Sequence, residues 1–304
     1  MKGIENSKIF FNSEGKKLLE QFPSYKNRIA VGVFGGGSEC FGFDDEISKD
    51  HDLTTGFTLL LTKDDEEKIG FELDRAYKKL VKEYSKDTVH AKLSVDKFGV
   101  FTIDNYFERI LGFSIIPNDW KPWFYTPEYA FSEATNGEIF EDELGIVTSF
   151  RKALINYYPN DVRLKKIAGH LALMAQSGQY NYYRMYKRRD KATCLCLSEF
   201  VNHTIATLFL LDNSFLPYYK WQFKALGQTK YGYLKDDLYY LLTQPDTNKK
   251  AEIIENISKI IIEELKIKGY STSRSDYLED HAISVQQHIT NRQIKSLHLM
   301  DYGR

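Results

Sequence analysis

One stretch constrains this chain more than any other: Gly35-Gly36-Gly37-Ser38-Glu39-Cys40-Phe41-Gly42-Phe43-Asp44-Asp45-Glu46-Ile47-Ser48-Lys49-Asp50-His51-Asp52. An apolar run over 29–34 leads into it and another over 57–61 leads out. The local order is therefore strand, glycine turn, polar connection, acid pair, strand. Bare glycines let the backbone approach a phosphate closely, and the amides that follow can cradle its oxygens. Ser38 adds a hydroxyl at the same point. Asp50 and Asp52 stand two apart, so in extended backbone both carboxylates project from one face. Two hard oxygen ligands so spaced suit Mg²⁺, which is usually held by one or two carboxylates together with substrate phosphates. A phosphate turn followed by a metal-binding acid pair points to chemistry on a nucleotide.

Other readings of the stretch fail at particular residues. A Walker loop needs a lysine after its glycines, and none follows here. A dinucleotide fingerprint fails because Cys40 stands at its third glycine position. The plain alternative is a glycine-rich hairpin with a solvated acidic loop. The order and spacing of Ser38, Asp50 and Asp52 favour the chemical reading.

The same residues carry a resemblance. Gly37-Ser38, eleven intervening residues and then Asp50-His51-Asp52 resemble the signature of the polymerase-β-like nucleotidyltransferase superfamily. The fuller wording is similar to that of a bacterial branch with a helical C-terminal half. Likeness to that branch runs on through Gly137-Glu138-Ile139-Phe140, Tyr157-Tyr158-Pro159, Gly178-Gln179-Tyr180-Asn181 and Tyr218-Tyr219-Lys220-Trp221. The catalytic signature itself covers under a tenth of the chain. The resemblance implies transfer of a nucleoside monophosphate from an NTP, most naturally ATP, to an acceptor with release of pyrophosphate. Gly36, Gly37 and Ser38 would hold the phosphates, with Lys49 nearby, and Asp50 and Asp52 would be catalytic and hold Mg²⁺. A third carboxylate is expected after the next helix, where Asp104 is the preferred candidate over Asp96. Relatives that take a general base from the helical half make Glu138 and Asp142 candidates for that role, though acids stabilising a helix N-terminus are the favoured reading of both. The acceptor, whether small molecule, tRNA or protein, stays open. So do two other classes: a catalytically silent nucleotide-binding or interaction module, and a Mg²⁺-dependent phosphohydrolase.

At 304 residues the chain is long enough for two domains. Before residue 115 the runs at 29–34, 57–61, 88–95 and 99–103 read as strands and those at 10–22 and 64–86 as helices. Helical periods dominate beyond the Pro- and Trp-rich stretch at 115–125, which reads as a connection without regular structure. The expected class is α+β: a small mixed-sheet catalytic domain over 1–125, then a helical bundle over 126–304, with the site between them. The net charge of -1 supplies no global basic field, which weighs against a long nucleic acid while leaving tRNA open. Three cysteines without metal spacing fit a reducing, cytoplasmic setting. No apolar run approaches the ~20 residues of a membrane span.

The segment 180–189 is the most basic and aromatic of all. On a helix Arg184 and Arg188 share a face, suited to phosphates or the acceptor, and Lys220 offers a second cation. The competing reading is a solvated basic face with its tyrosines packed inward.

Overall fold

The computed structural model describes residues 3–46, 55–84 and 97–303. It shows a small mixed four-stranded sheet domain followed by an all-helical bundle. The chain divides into two compact units, Met1–Asn118 with Glu128–Asn156, and Asp119–Pro127 with Tyr157–Arg304. The expected boundary at residue 125 falls inside the short segment that packs with the helical unit. The first unit in turn takes in residues up to 156, because its fourth strand comes from Glu138–Glu141.

The first unit opens with α1 (Gly3–Phe10), a π-helical stretch (Phe11–Gly15) and α2 (Lys16–Leu19). There follow β1 (Ala30–Val33), β2 (Thr58–Leu61), α3 (Lys63–Tyr84), β3 (Gly99–Thr102) and α4 (Ile103–Leu111). After α5 (Trp120–Tyr125), which belongs to the second unit, come α6 (Glu128–Thr135), β4 (Glu138–Glu141) and α7 (Ile146–Ile155). The strand order is β3-β2-β1-β4, with β1 antiparallel to β2 and β4, and β2 parallel to β3. β1 and β2 are buried along their whole length, as near-continuous apolar runs require. Val31, Val33, Leu59 and Leu61 pack with Phe10, Phe11, Leu18, Ile69 and Leu73 in one core. β4 is an edge strand whose Glu138 and Glu141 pair with Lys8 and Lys16, and charge on an exposed edge discourages further strand pairing.

Register fixes what gathers at each end of the sheet. Gly32 faces Thr58, Thr58 faces Gly99, and Val33 faces Glu138. The C-terminal end of β1 and the N-terminal ends of the other three strands therefore lie together. Thr102, which leads into α4 and Asp104, pairs with Leu61 at the opposite end.

The second unit is built from α8 (Asn160–Met174), a π-helical stretch (Ala175–Tyr182), α9 (Tyr183–Lys187) and α10 (Ala192–Asp212). It continues with α11 (Gln222–Leu226), α12 (Lys235–Thr243), α13 (Thr247–Ile267), α14 (Leu278–Gln287) and α15 (Arg292–Lys295). The stretch expected to be irregular holds α5. Asp119 caps it by accepting from the Lys121 amide at 2.7 Å, and Pro122 is tolerated in its first turn. α8 buries two lysines. Lys165 donates to the carbonyls of His298, Leu299 and Asp301 at 2.8, 3.0 and 2.8 Å, and Lys166 donates to that of Tyr302 at 3.0 Å. Three carbonyls match the three donors of an ammonium, which is how a lysine is accommodated inside. α10 is long and apolar enough to cross a membrane by length and composition, though 67% of its apolar window is buried within the protein.

Candidate functional site

The glycine turn leaves β1 through Phe34 and rises at the end of the sheet where four strand ends meet. Gly35 and Gly37 have φ of 107° and 123°, a region that side chains avoid. Gly36 is exposed and Gly37 half-buried, while Ser38 is buried and opens a single 3₁₀ turn over Glu39–Phe41. Among the described residues the amides of Gly36, Gly37 and Ser38 donate to no protein acceptor. Unpaired amides at an open turn are ready to meet an anion.

The turn is held from the lead-in to β4. Asn136 accepts from the Gly35 amide at 2.9 Å and donates to the Gly35 carbonyl at 2.8 Å, so its side chain pairs with that residue as a strand would. The Gly137 amide donates to the Cys40 carbonyl at 2.9 Å. Tyr106 on α4 donates to the Phe34 carbonyl at 2.8 Å. Arg151 on α7 donates to the carbonyls of Thr135 and Asn136, satisfying the end of α6, and its guanidinium lies 5.1 Å from the centre of the Phe34 ring.

Charge is concentrated here. Lys97, just before β3, forms an ion pair with buried Glu39 and lies against Gly37, where an added Cβ would meet its Nζ. Glu133 on α6 faces Gly36, where an added Cβ would lie 3.7 Å from its Oε1. Burial holds the Glu133 carboxyl above the usual carboxylate range. Burial also raises the Tyr106 phenol and pushes the Cys40 thiol up to about 12, with the Glu133 charge adding to it. Cys40 is thus an inert core thiol.

The expected site residues distribute as follows. Gly36, Gly37 and Ser38 form the turn. Lys49, Asp50 and Asp52, with Asp96, lie outside the described residues; these begin again at Thr55, and β2 starts at Thr58. Asp104 is exposed in the first turn of α4, at the sheet end away from the glycine turn. Glu138 pairs with Lys8, and Asp142 accepts from the Thr148 amide at 2.7 Å in the first turn of α7. Those contacts give both acids structural work. Arg184, Arg188 and Lys220 are exposed in the second unit. Lys97, Glu133, Asn136 and Arg151 were not singled out by sequence reasoning. Only the Asn136-Gly137 turn dipeptide carried a readable signal for any of them. Among the described residues no group of three or more His, Cys, Asp or Glu side chains could hold a metal ion.

Residues 123–222 match a family model described as "Domain of unknown function (DUF4037)". The match covers about a third of the chain, including Asn136, Arg151 and Arg184 but not the glycine turn. No curated protein and no solved structure matches the chain.

Proposed function

We propose that this protein is a Mg²⁺-dependent nucleotidyltransferase of the polymerase-β-like kind, moving a nucleoside monophosphate from an NTP to an acceptor. The observation that carries the reading is the glycine turn itself. Its open amides stand beside a cation, Lys97, at the sheet end where β2 begins, and the chain reaches β2 six residues after Asp52. In this proposal Gly36, Gly37 and Ser38 take the β- and γ-phosphates, and Lys97 exchanges Glu39 for their charge. Asp50 and Asp52 would hold Mg²⁺, and Lys49 is assigned to the nucleotide. Bound there, the ion supplies charge neutralisation on the phosphoryl oxygens. The acceptor hydroxyl gives up its proton to a general base, its oxygen bonds to the α-phosphorus as the bond to the β-phosphate bridge breaks, and pyrophosphate leaves. Arg184, Arg188 and Lys220 are the cations assigned to the nucleotide or acceptor. We place the activity in the cytoplasm, where free thiols such as exposed Cys194 persist.

Calorimetric titration with Mg²⁺-ATP tests the site. Gly37→Val puts a side chain at φ 123° and into the space of Lys97 and Glu39, and should abolish measurable binding. Lys97→Met should weaken binding by about 1.5–3 kcal/mol, as the loss of a charged hydrogen bond does. Ser38→Ala, at a buried hydroxyl, should cost only about 0.5–1.5 kcal/mol. Parent-like affinity in both the Gly37 and Lys97 variants would remove the phosphate site.

A further inference from the structure

We infer that the exposed face over residues 180–188 binds single-stranded polynucleotide, its tyrosines stacking on bases and its cations contacting phosphates. Over 180–191 the chain carries five basic residues and one acid, against a net charge of -1 for the whole chain. The absence of a global basic field therefore does not describe this surface, which concentrates charge locally. Tyr182 is buried and its hydroxyl lies 3.4 Å from the Thr247 carbonyl, which fixes how the helix sits. That orientation leaves Tyr180, Tyr183 and Tyr186 exposed at 50%, 50% and 44%. These three tyrosines, unlike Tyr182, are not packed inward as a merely solvated basic face would have them.

Their rings carry cations. The Arg184 guanidinium lies 4.5 Å from the centre of the Tyr180 ring, and Lys187 Nζ lies 4.4 Å from that of Tyr183. Both pairs are at i, i+4, so they sit side by side along the helix. Arg188 follows in helical conformation, its amide bonded to the Arg184 carbonyl at 3.2 Å. Aromatic faces alternating with cations at this spacing meet both halves of a nucleotide: the ring stacks on the base and the cation meets the phosphate. A helix that binds an anionic membrane buries Trp, Phe or Leu between its cations, and over 180–188 the exposed large apolar side chains are tyrosines. Glu279 and Asp280, whose charges reach Tyr277 beside Tyr180, limit the surface at that end. The inference stands on this surface alone. Combined with nucleotidyl transfer, it would make a polynucleotide end the acceptor.

The test is fluorescence anisotropy of the full chain with labelled single-stranded RNA and DNA of about twelve nucleotides across a salt series. Both strands should bind, and RNA over DNA would point to recognition of the 2′-hydroxyl. Tyr183→Ala should weaken binding roughly tenfold with the salt slope unchanged, and Tyr183→Phe should restore it. Arg184→Gln and Arg188→Gln should each lower the slope of log affinity against log salt by about 0.7. Arg75→Gln, the same charge change on exposed α3, should leave binding at parent level. Equal affinity for parent, Tyr183→Ala and the two arginine variants would overturn the inference. So would binding to anionic vesicles or duplex DNA with none to single strands. Because the readout is binding without NTP, failure here is distinct from failure of nucleotidyl transfer.

Discussion

Asp50→Asn and Asp52→Asn are each expected to lower nucleotidyl transfer by roughly a thousandfold or more, which corresponds to about 4 kcal/mol of transition-state stabilisation. The substitution keeps the side chain's volume and removes the charge that holds a divalent cation. Calorimetric unfolding should stay near that of the parent, since no packing is lost. A metal-ligand role also predicts that any residual activity needs more Mg²⁺ than the parent does. Near-parent turnover of both variants at limiting Mg²⁺ would sink the assignment of these two acids.

Gly137→Ala is expected to be the most damaging single-methyl change around the turn. Gly137 has φ of 67°, and an added Cβ would run into the Val33 carbonyl oxygen and lie 2.8 Å from Phe34 Cα. Both atoms are backbone, at the end of β1 and its exit into the glycine turn, so neither can swing aside. Strain and clash together should cost about 3 kcal/mol or more, the upper end for a single substitution. Gly145→Ala separates the two effects, because Gly145 has nearly the same φ of 69° and nothing lies within 4 Å of its added Cβ. That variant should lose only about 1–2 kcal/mol from the left-handed backbone. Equal losses in the two variants would mean that the approach of Gly137 to β1 is not what holds the turn.

The parts of the fold that were legible in the sequence are those whose pattern is local. The apolar runs around Val31 and Leu59 became β1 and β2, and the stripe Ile69, Leu73 and Tyr77 lines the buried face of α3. β4 was not legible, because Glu138-Ile139-Phe140-Glu141 is short and bounded by acids that read as a helix start. Only its pairing with β1, more than a hundred residues earlier, makes it a strand. Lys165 and Lys166 were hidden for the same reason, since the carbonyls that admit them to the core lie some 130 residues away. The glycine turn was readable in sequence, but its supports were not. Asn136, Tyr106 and Lys97 reach it across 101, 72 and 58 residues respectively, through side chains whose local context is ordinary. Asp104 shows why an acid after a strand is ambiguous in sequence, since the same position suits the start of a helix, and it sits in the first turn of α4.

The central claim is most directly tested by following label from NTP. The protein is incubated with Mg²⁺ and NTPs labelled at the α- or γ-phosphate, with cell extract or single-stranded oligonucleotide as acceptor, and with Asp52→Asn as control. The account predicts that α-label moves onto an acceptor, γ-label appears in pyrophosphate, and both are lost in the control. Release of γ-label as inorganic phosphate with no α-label transferred would contradict it.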